Sequence, residues 1–551
     1  MARSDAPTPL PSELSWGQRL DHARSAIEHL LPSDVKGQLQ ADIEQLDVLL
    51  IGEKQRRDSK TSHILNTKQI SQRYLESIST RTPAPFRRAL YLGAKLAWWM
   101  VTPHLSADRY RHYRQLSASS KPPVPKSTVS QPFVDTVETP IKPRILFVIS
   151  TQSGGIPQTN IDLMRAFADR YEPYLLRCDS TNIELSKLDH LVLTRLEKIS
   201  LRKPITAFPH TSQEYDGTLR RMLAQYAIAL VHIRHIGWHS LGLPGVCHSL
   251  GIPVLFSFHD FYTICPTVKL LDENLRFCAG KCTATLGRCE PELWPRETMP
   301  PLKHDAVYDW QAAMKAMLED CDGYITTSQG ARDQISAIFP GTLAKPFVII
   351  PHGRDLEMRK LSGWPSEKDP RIRILLPGNI VPAKGSYIVE SLAELDVERL
   401  FEFHVLGYSS LPKNERFVLH GPYGRDDFAD KVSQIRPHLG AIFSIWPETI
   451  CHTLTEMWAC GVPVVALDSG AVGERIRETG SGWLVTGRND PASIYRQLLA
   501  ILGNKDDYLE KMKSVISWQL GVGTNQTTRA MSYSYERVYR DVLAANERSN
   551  V

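Results

Sequence analysis

The pattern of apolar and polar positions changes character twice along the chain. Over residues 13–113, apolar side chains such as Ile27, Leu30 and Leu31 recur at helical spacing between long polar stretches, with no alternating run that reads as a strand. Residues 117–127 are rich in Pro and Ser, cannot supply a core, and read as a linker. After Pro143 the texture becomes short apolar runs, at 145–149, 229–233, 254–258 and 347–350, alternating with amphipathic stretches. Strands buried on both faces of a parallel sheet have this texture. A polar break at 362–369 is followed by the same pattern at 372–376, 401–406, 442–445 and 464–467. Two successive α/β domains are therefore predicted, with no internal repeat of solenoid period.

Composition narrows this picture without redirecting it. With 551 residues the chain exceeds one ordinary core, and 42% hydrophobic against 23% charged residues is the balance of a folded water-soluble protein. Its 65 basic and 60 acidic residues leave a net charge of +5, too small and too scattered for a nucleic-acid binder. The first residues lack the apolar core of a secretory signal, and no run reaches the ~18 apolar residues of a spanning helix, so a cytoplasmic protein is expected. Nine cysteines without an export signal point to reduced thiols or a metal site rather than a disulfide framework.

Candidate chemistry sits in the loops that follow the predicted strands. The stretch Pro447-Glu448-Thr449-Ile450-Cys451-His452-Thr453-Leu454-Thr455-Glu456 reads as strand end, loop and helix start. Thr453 with Glu456 three residues on has the spacing of a capping box, and a helix beginning there would turn backbone N–H groups and a positive dipole end toward the loop. That is an anion site, at the carboxyl end of a strand where open α/β sheets bind ligands. A second loop, Pro377-Gly378-Asn379-Ile380-Val381-Pro382-Ala383-Lys384-Gly385, brings a lysine after a strand. In the first domain the run 145–150 leads into Thr151-Gln152-Ser153-Gly154-Gly155, where paired glycines let a backbone approach a phosphate or sugar. The G-x-G-x-x-G spacing of dinucleotide enzymes is absent there. His259-Asp260 ends the run 254–258; Asp260 could orient His259 or cap the next turn. His235 follows another strand and is a weaker candidate. Arg354, after Gly353, either faces the cleft or makes a structural ion pair.

The segment from Glu448 to Glu456, with the downstream Gly461-Val462-Pro463-Val464-Val465-Ala466 and Ser469-Gly470-Ala471-Val472-Gly473-Glu474, resembles the E-x7-E motif of the retaining family 4 glycosyltransferases. Its Pro-Glu-Thr opening is similar to a subgroup common in bacterial surface-polysaccharide assembly. The resemblance spans about residues 143–539. It implies a GT-B fold, with a Rossmann-like acceptor domain at 143–355, a Rossmann-like nucleotide-sugar domain at 356–530 and a C-terminal helix at 531–551 crossing back to the first, preceded by the helical appendage at 1–116 and the linker at 117–142 that the residue pattern predicts. It further implies that Glu448 contacts donor-sugar hydroxyls, Thr453 and Leu454 meet the phosphates, and Glu456 holds the ribose. Lys384, with Gly378 and Asn379, would form the diphosphate clamp, where Asn379 stands in place of the usual Arg and Cys451 in place of the usual Gly. Gly154 and Gly155 would face the diphosphate, and His259 would reach the donor sugar near its reacting carbon. The donor would be a UDP-, GDP- or dTDP-linked sugar, the acceptor a glycan or lipid-linked glycan, and catalysis would need no metal or cofactor. Two other readings stay open: a non-catalytic GT-B binding or scaffold module, for which Asn379 speaks, and a nucleotide-sugar epimerase.

Two features fall outside this motif series. Cys265, Cys278, Cys282 and Cys289 are spaced C-x12-C-x3-C-x6-C between glycines. A structural zinc held by four thiolates, buried free thiols and disulfides are all open for them. Residues 87–101 combine Arg87, Arg88 and Lys95 with Trp98 and Trp99. Such a helix either lies at a membrane surface on its cytoplasmic face or packs on the catalytic core.

Overall fold

The computed structural model describes residues 142–150, 154–366, 371–487 and 489–549. The expected appendage, nearly all of the linker, the basic aromatic helix at 87–101 and the loop residues Thr151, Gln152 and Ser153 lie outside the described residues.

The first α/β domain runs β1 (Arg144–Ile149), α1 (Gly155–Phe167), β2 (Glu172–Cys178), β3 (Asn182–Asp189), β4 (Val192–Ser200), α2 (Gln213–Gln225), β5 (Leu230–Ile233), α3 (Leu243–His248), β6 (Val254–Ser257), α4 (Asp305–Glu319), β7 (Gly323–Thr326), α5 (Gln329–Ile338) and β8 (Phe347–Ile349). Its sheet has the order β4-β3-β2-β1-β5-β6-β7-β8, parallel except at the β2–β3 and β3–β4 pairs. The second domain runs β9 (Ile372–Pro377), α6 (Ser386–Leu395), β10 (Phe401–Leu406), β11 (Phe417–Gly421), α7 (Phe428–Ile435), β12 (Leu439–Ile442), α8 (His452–Ala459), β13 (Val464–Leu467), α9 (Gly470–Thr479), β14 (Gly482–Val485), α10 (Pro491–Leu502) and α11 (Lys505–Trp518). All its strand pairs are parallel, in the order β11-β10-β9-β12-β13-β14. This is the doubly wound order, whose direction reverses between β9 and β12, and ligands bind in the crevice at such a reversal.

Burial explains why the strands were legible. β5, β6, β7, β12 and β13 are buried along their whole length, because helices cover both faces of each sheet. β3 and β4 were not foreseen: their edge hairpin alternates or is exposed, and β4 carries Thr194, Arg195, Glu197 and Lys198. The expected strand at 442–445 is displaced. β12 ends at Ile442, while Phe443 and Ile445 stay buried by turning under the loop after β9, where the Ile445 amide donates to the Ala383 carbonyl at 3.1 Å. Hydrophobicity there reported burial, not pairing.

The chain closes with α12 (Thr528–Ser549), whose Met531, Tyr535, Val538, Tyr539 and Val542 join the first domain's core beside Ile145, Phe147, Leu163 and Phe167. The hydroxyl of Tyr539 meets Nδ1 of buried His232 at 2.5 Å, and the Arg234 guanidinium donates to the Tyr535 hydroxyl at 2.8 Å. The last helix of the chain thus completes the first domain.

Candidate functional site

The start of α1 and the loops after β8 and β9 converge on the start of α8. A Cβ added at Gly155 would touch the His452 ring at 3.4 Å, and one at Gly378 would touch the Thr453 methyl at 3.6 Å. Gly378 has φ of 102°, a left-handed conformation that lets the loop after β9 turn there without a side-chain clash. The start of α1 and the loop after β9 therefore flank one end of α8. Across the two domains, the Thr449 hydroxyl donates to the His259 carbonyl and the Thr327 hydroxyl to the Thr449 carbonyl, each at 2.5 Å. Arg425, after β11, pairs with Asp162 of α1 at 2.6 Å.

Glu448 and Lys384 meet directly. Nζ of Lys384 lies 2.5 Å from Oε1 of Glu448, which also accepts from the Ser444 hydroxyl, and the ammonium sits over the Trp446 ring. Burial works against the lysine's charge, but the adjacent carboxylate outweighs it and holds the lysine pKa above its ordinary value. Lys384 is partly exposed whereas Glu448 is buried, so the cation forms the accessible lip. Asn379 is exposed at the tip of the same loop.

The expected capping box is absent. α8 begins at His452, its N-cap is Cys451 with no side-chain cap, and the Thr453 hydroxyl meets the Cys451 sulfur instead. Glu456 is drawn away from the helix start by a buried partner: Nη2 of Arg354 lies 2.8 Å from its Oε1, with both side chains 5% exposed, and the Tyr423 hydroxyl donates to Oε2 at 3.2 Å. A full charge competes better for a buried carboxylate than a backbone amide does. Leu454 is fully buried, so only its backbone can meet a ligand. Arg475, from α9, donates to the Cys451 carbonyl and the Thr455 hydroxyl and lies over Trp458; burial lowers its pKa to about 10.

His259 does not pair with Asp260. The Asp260 carboxylate accepts from the Tyr262 amide, as a turn cap, and meets Nε2 of His235 at 3.3 Å. Nδ1 of His259 instead meets Nε2 of His352 at 3.2 Å, and Nδ1 of His352 meets Nε2 of His452 at 3.3 Å. The His352 and His452 rings are 15° from parallel with centroids 5.1 Å apart, which suits an in-plane N–H···N bond better than a face-to-face stack. Burial holds all three imidazoles below their ordinary pKa, that of His452 at about 3, and the neighbouring Arg354, Arg425, Arg475 and Lys384 add to this at His452. The cleft thus presents cations around three neutral rings.

The four clustered cysteines line one cavity with Asp272, Thr283 and Lys303, yet they are not disposed as a ligand set. Among the described residues no group of three or more His, Cys, Asp or Glu side chains is placed to hold a metal ion. Cys278 donates to the Leu270 carbonyl and Cys289 to Glu273, while Lys303 bonds to Glu273 at 2.6 Å and to Thr283 at 2.9 Å. Burial pushes the Cys265 thiol up to about 12 and that of Cys289 to about 11, so without a metal both are protonated at neutral pH.

Sequence reasoning missed His352, His452, Arg425, Arg475, Ser444 and Tyr423. His452 lies within the motif before α8 and His352 directly before Gly353, but the contact between them joins positions 100 residues apart and leaves no local pattern. Arg425 and Arg475 are single cations on amphipathic stretches and look like solvated faces.

Residues 153–358 match the family model described as Glycosyltransferase Family 4, and residues 371–504 match that described as Glycosyl transferases group 1. No curated protein matches the chain. Solved structures that resemble it include HepE of Anabaena in complex with UDP and glucose, at 13% identity over 72% of this chain and 99% of that chain, with a TM-score of 0.47. Sucrose-phosphate synthase from Thermosynechococcus elongatus aligns at 16% identity over 73% and 100%, with a TM-score of 0.48. The catalytic domain of starch synthase IV from Arabidopsis thaliana, bound to ADP and acarbose, aligns at 12% identity over 73% and 100%, with a TM-score of 0.46. No described helix is long and apolar enough to cross a membrane.

Proposed function

We propose, from the premise that the chain is a GT-B glycosyltransferase carrying a family 4 domain followed by a group 1 domain, that it moves a sugar with retention of configuration from a nucleotide-diphosphate donor to a glycan or lipid-linked glycan. The observation that carries this reading is the meeting of Glu448 and Lys384 beside the start of α8, with Glu456 one turn further along that helix, at the strand-order reversal of the second domain.

In this reading the donor's diphosphate lies at the first turn of α8, between the Gly378 loop and the Gly154-Gly155 loop, with Thr453 and the Leu454 backbone beside it. Glu456 takes two ribose hydroxyls and Glu448 takes sugar hydroxyls, each as a double acceptor. Both carboxylates are already paired, with Arg354 and Lys384. Donor binding is then an exchange of partners, and Lys384 is released from Glu448 toward the phosphate. The acceptor hydroxyl attacks the anomeric carbon on the face that the diphosphate leaves. The bond from that carbon to the phosphate oxygen breaks, and the hydroxyl proton passes to the departing phosphate. Lys384 stabilises the growing negative charge, a preorganised electrostatic effect, and His259 holds the sugar. No metal is needed for this chemistry. The UDP-, GDP- and dTDP-linked donors, a role in cell-surface polysaccharide assembly, and a place on the cytoplasmic face of the membrane belong to the same proposal.

A panel of nucleotide sugars scored by thermal shift, followed by transfer assays with lipid-linked acceptors and NMR of the product's anomeric centre, tests it. An α-linked product from an α-linked donor is expected. Inversion removes the retaining mechanism. Nucleotide binding without transfer favours the non-catalytic module, for which the exposed Asn379 speaks. A free epimer formed without acceptor favours the epimerase.

A further inference from the structure

Behind His259 lies a small cavity walled by Arg234, His235, His259, Asp260, Tyr262 and Thr263, with room for about one solvent-sized guest. Three residues of its wall each carry a buried polar atom without a hydrogen-bond partner: Arg234 at Nε, His259 at Nε2 and Thr263 at its hydroxyl. Their residues are 0%, 8% and 3% exposed. Buried polar atoms are rarely left unpaired, and three around one cavity call for a common ligand.

Charge decides what kind of ligand. The Arg234 guanidinium spends its Nη atoms on the Tyr535 hydroxyl at 2.8 Å and the Thr159 hydroxyl at 3.4 Å, both neutral. No described carboxylate forms an ion pair with it. Asp260, in the same wall, is committed to His235 and the Tyr262 amide. A cation removed from water without a counter-charge is costly, and an anion offsets that cost where a water would not. We propose that this cavity is a binding site for one small monovalent anion of chloride size, held by Arg234 Nε–H, His259 Nε2–H and the Thr263 hydroxyl.

The anion has a consequence for the histidine chain. With His259 protonated on Nε2, its Nδ1 accepts from His352 Nε2, and His352 Nδ1 then accepts from His452 Nε2. One occupant fixes the tautomer of three rings and leaves His452 Nδ1 a bare acceptor at the start of α8. The site does not depend on glycosyl transfer, but it shares His259 with the proposed donor pocket: with Nδ1 on His352 and Nε2 on the anion, that ring has only its C–H edge to offer a sugar.

The test uses the full-length protein. Crystals soaked in sodium bromide should show an anomalous peak within hydrogen-bond distance of the three atoms, and the melting temperature should be higher in chloride than in gluconate at equal ionic strength. The 15N signal of His259 Nε2 should move toward the protonated tautomer as chloride is added. Thr263→Val should weaken the chloride midpoint at least threefold, and Arg234→Met should abolish the chloride effect. If Arg234→Met does not fold, Thr263→Val and the parent still decide. An ordered water alone at the position, or melting temperatures equal in chloride and gluconate, overturns the proposal.

Discussion

Lys384 shows how far a single residue can be read from sequence and where the reading stops. Its place in a strand-end loop and its resemblance to a diphosphate clamp nominated it. Its resting partner, Glu448 at 2.5 Å, joins positions 64 residues apart and could not be foreseen. The pair sharpens a prediction. Lys384→Ala should lower the transfer rate by on the order of a hundredfold, because one preorganised stabilising charge is lost, and should lower donor affinity much less, because the resting ammonium is engaged by Glu448. Lys384→Arg should recover part of the rate, since charge returns in a different shape. Steady-state kcat and KM for donor check both, and a parental rate in Lys384→Ala removes the clamp. Glu456 teaches the complementary lesson. Thr453 and Glu456 have capping spacing, but a buried guanidinium from a segment 102 residues away captured the carboxylate. A local rule yielded to a distant charge.

Elements buried on both faces were legible because their sequences are apolar throughout, as in β6 and β13. The hairpin of β3 and β4 was not, since exposed strands carry polar residues that also suit loops. Chain order hides a further element-scale fact: α12 belongs to the core built from β1 and α1. Its hydrogen bonds are testable apart from its bulk. Tyr539→Phe keeps the ring but strips the hydroxyl from buried His232, so stability should fall by about 1–3 kcal/mol, the cost of leaving a buried polar group unsatisfied. Denaturant melts with an unchanged slope and a lower midpoint would show it. A midpoint equal to the parent's would mean that leaving Nδ1 of His232 without Tyr539 costs nothing while Ser257 holds its Nε2 at 2.7 Å.

For the whole molecule, buried neutral imidazoles set the response to acid. Burial holds the pKa of His210 and His452 at about 3 and of His239 at about 4, while His232, His259 and His352 are also well below 6.5. Below pH 6.5 the unfolded chain binds protons at these sites and the native state does not, so stability falls as the medium is acidified. Each site contributes up to about 1.4 kcal/mol per pH unit. The melting temperature should therefore drop steeply from pH 7 to pH 5, before most carboxylates titrate, and His210→Phe should flatten the drop. A profile level over that window would contradict the neutral assignments. The position of α12 has a last consequence, for synthesis. A ribosome finishes the first domain's sheet at Ile349, yet Tyr535 and Tyr539, which seal one face of it, are translated almost 190 residues later. At about 5–20 residues per second that face waits on the order of ten to forty seconds, with Phe147 and Leu163 uncovered. The nascent chain therefore offers chaperones an apolar surface that the finished protein never shows.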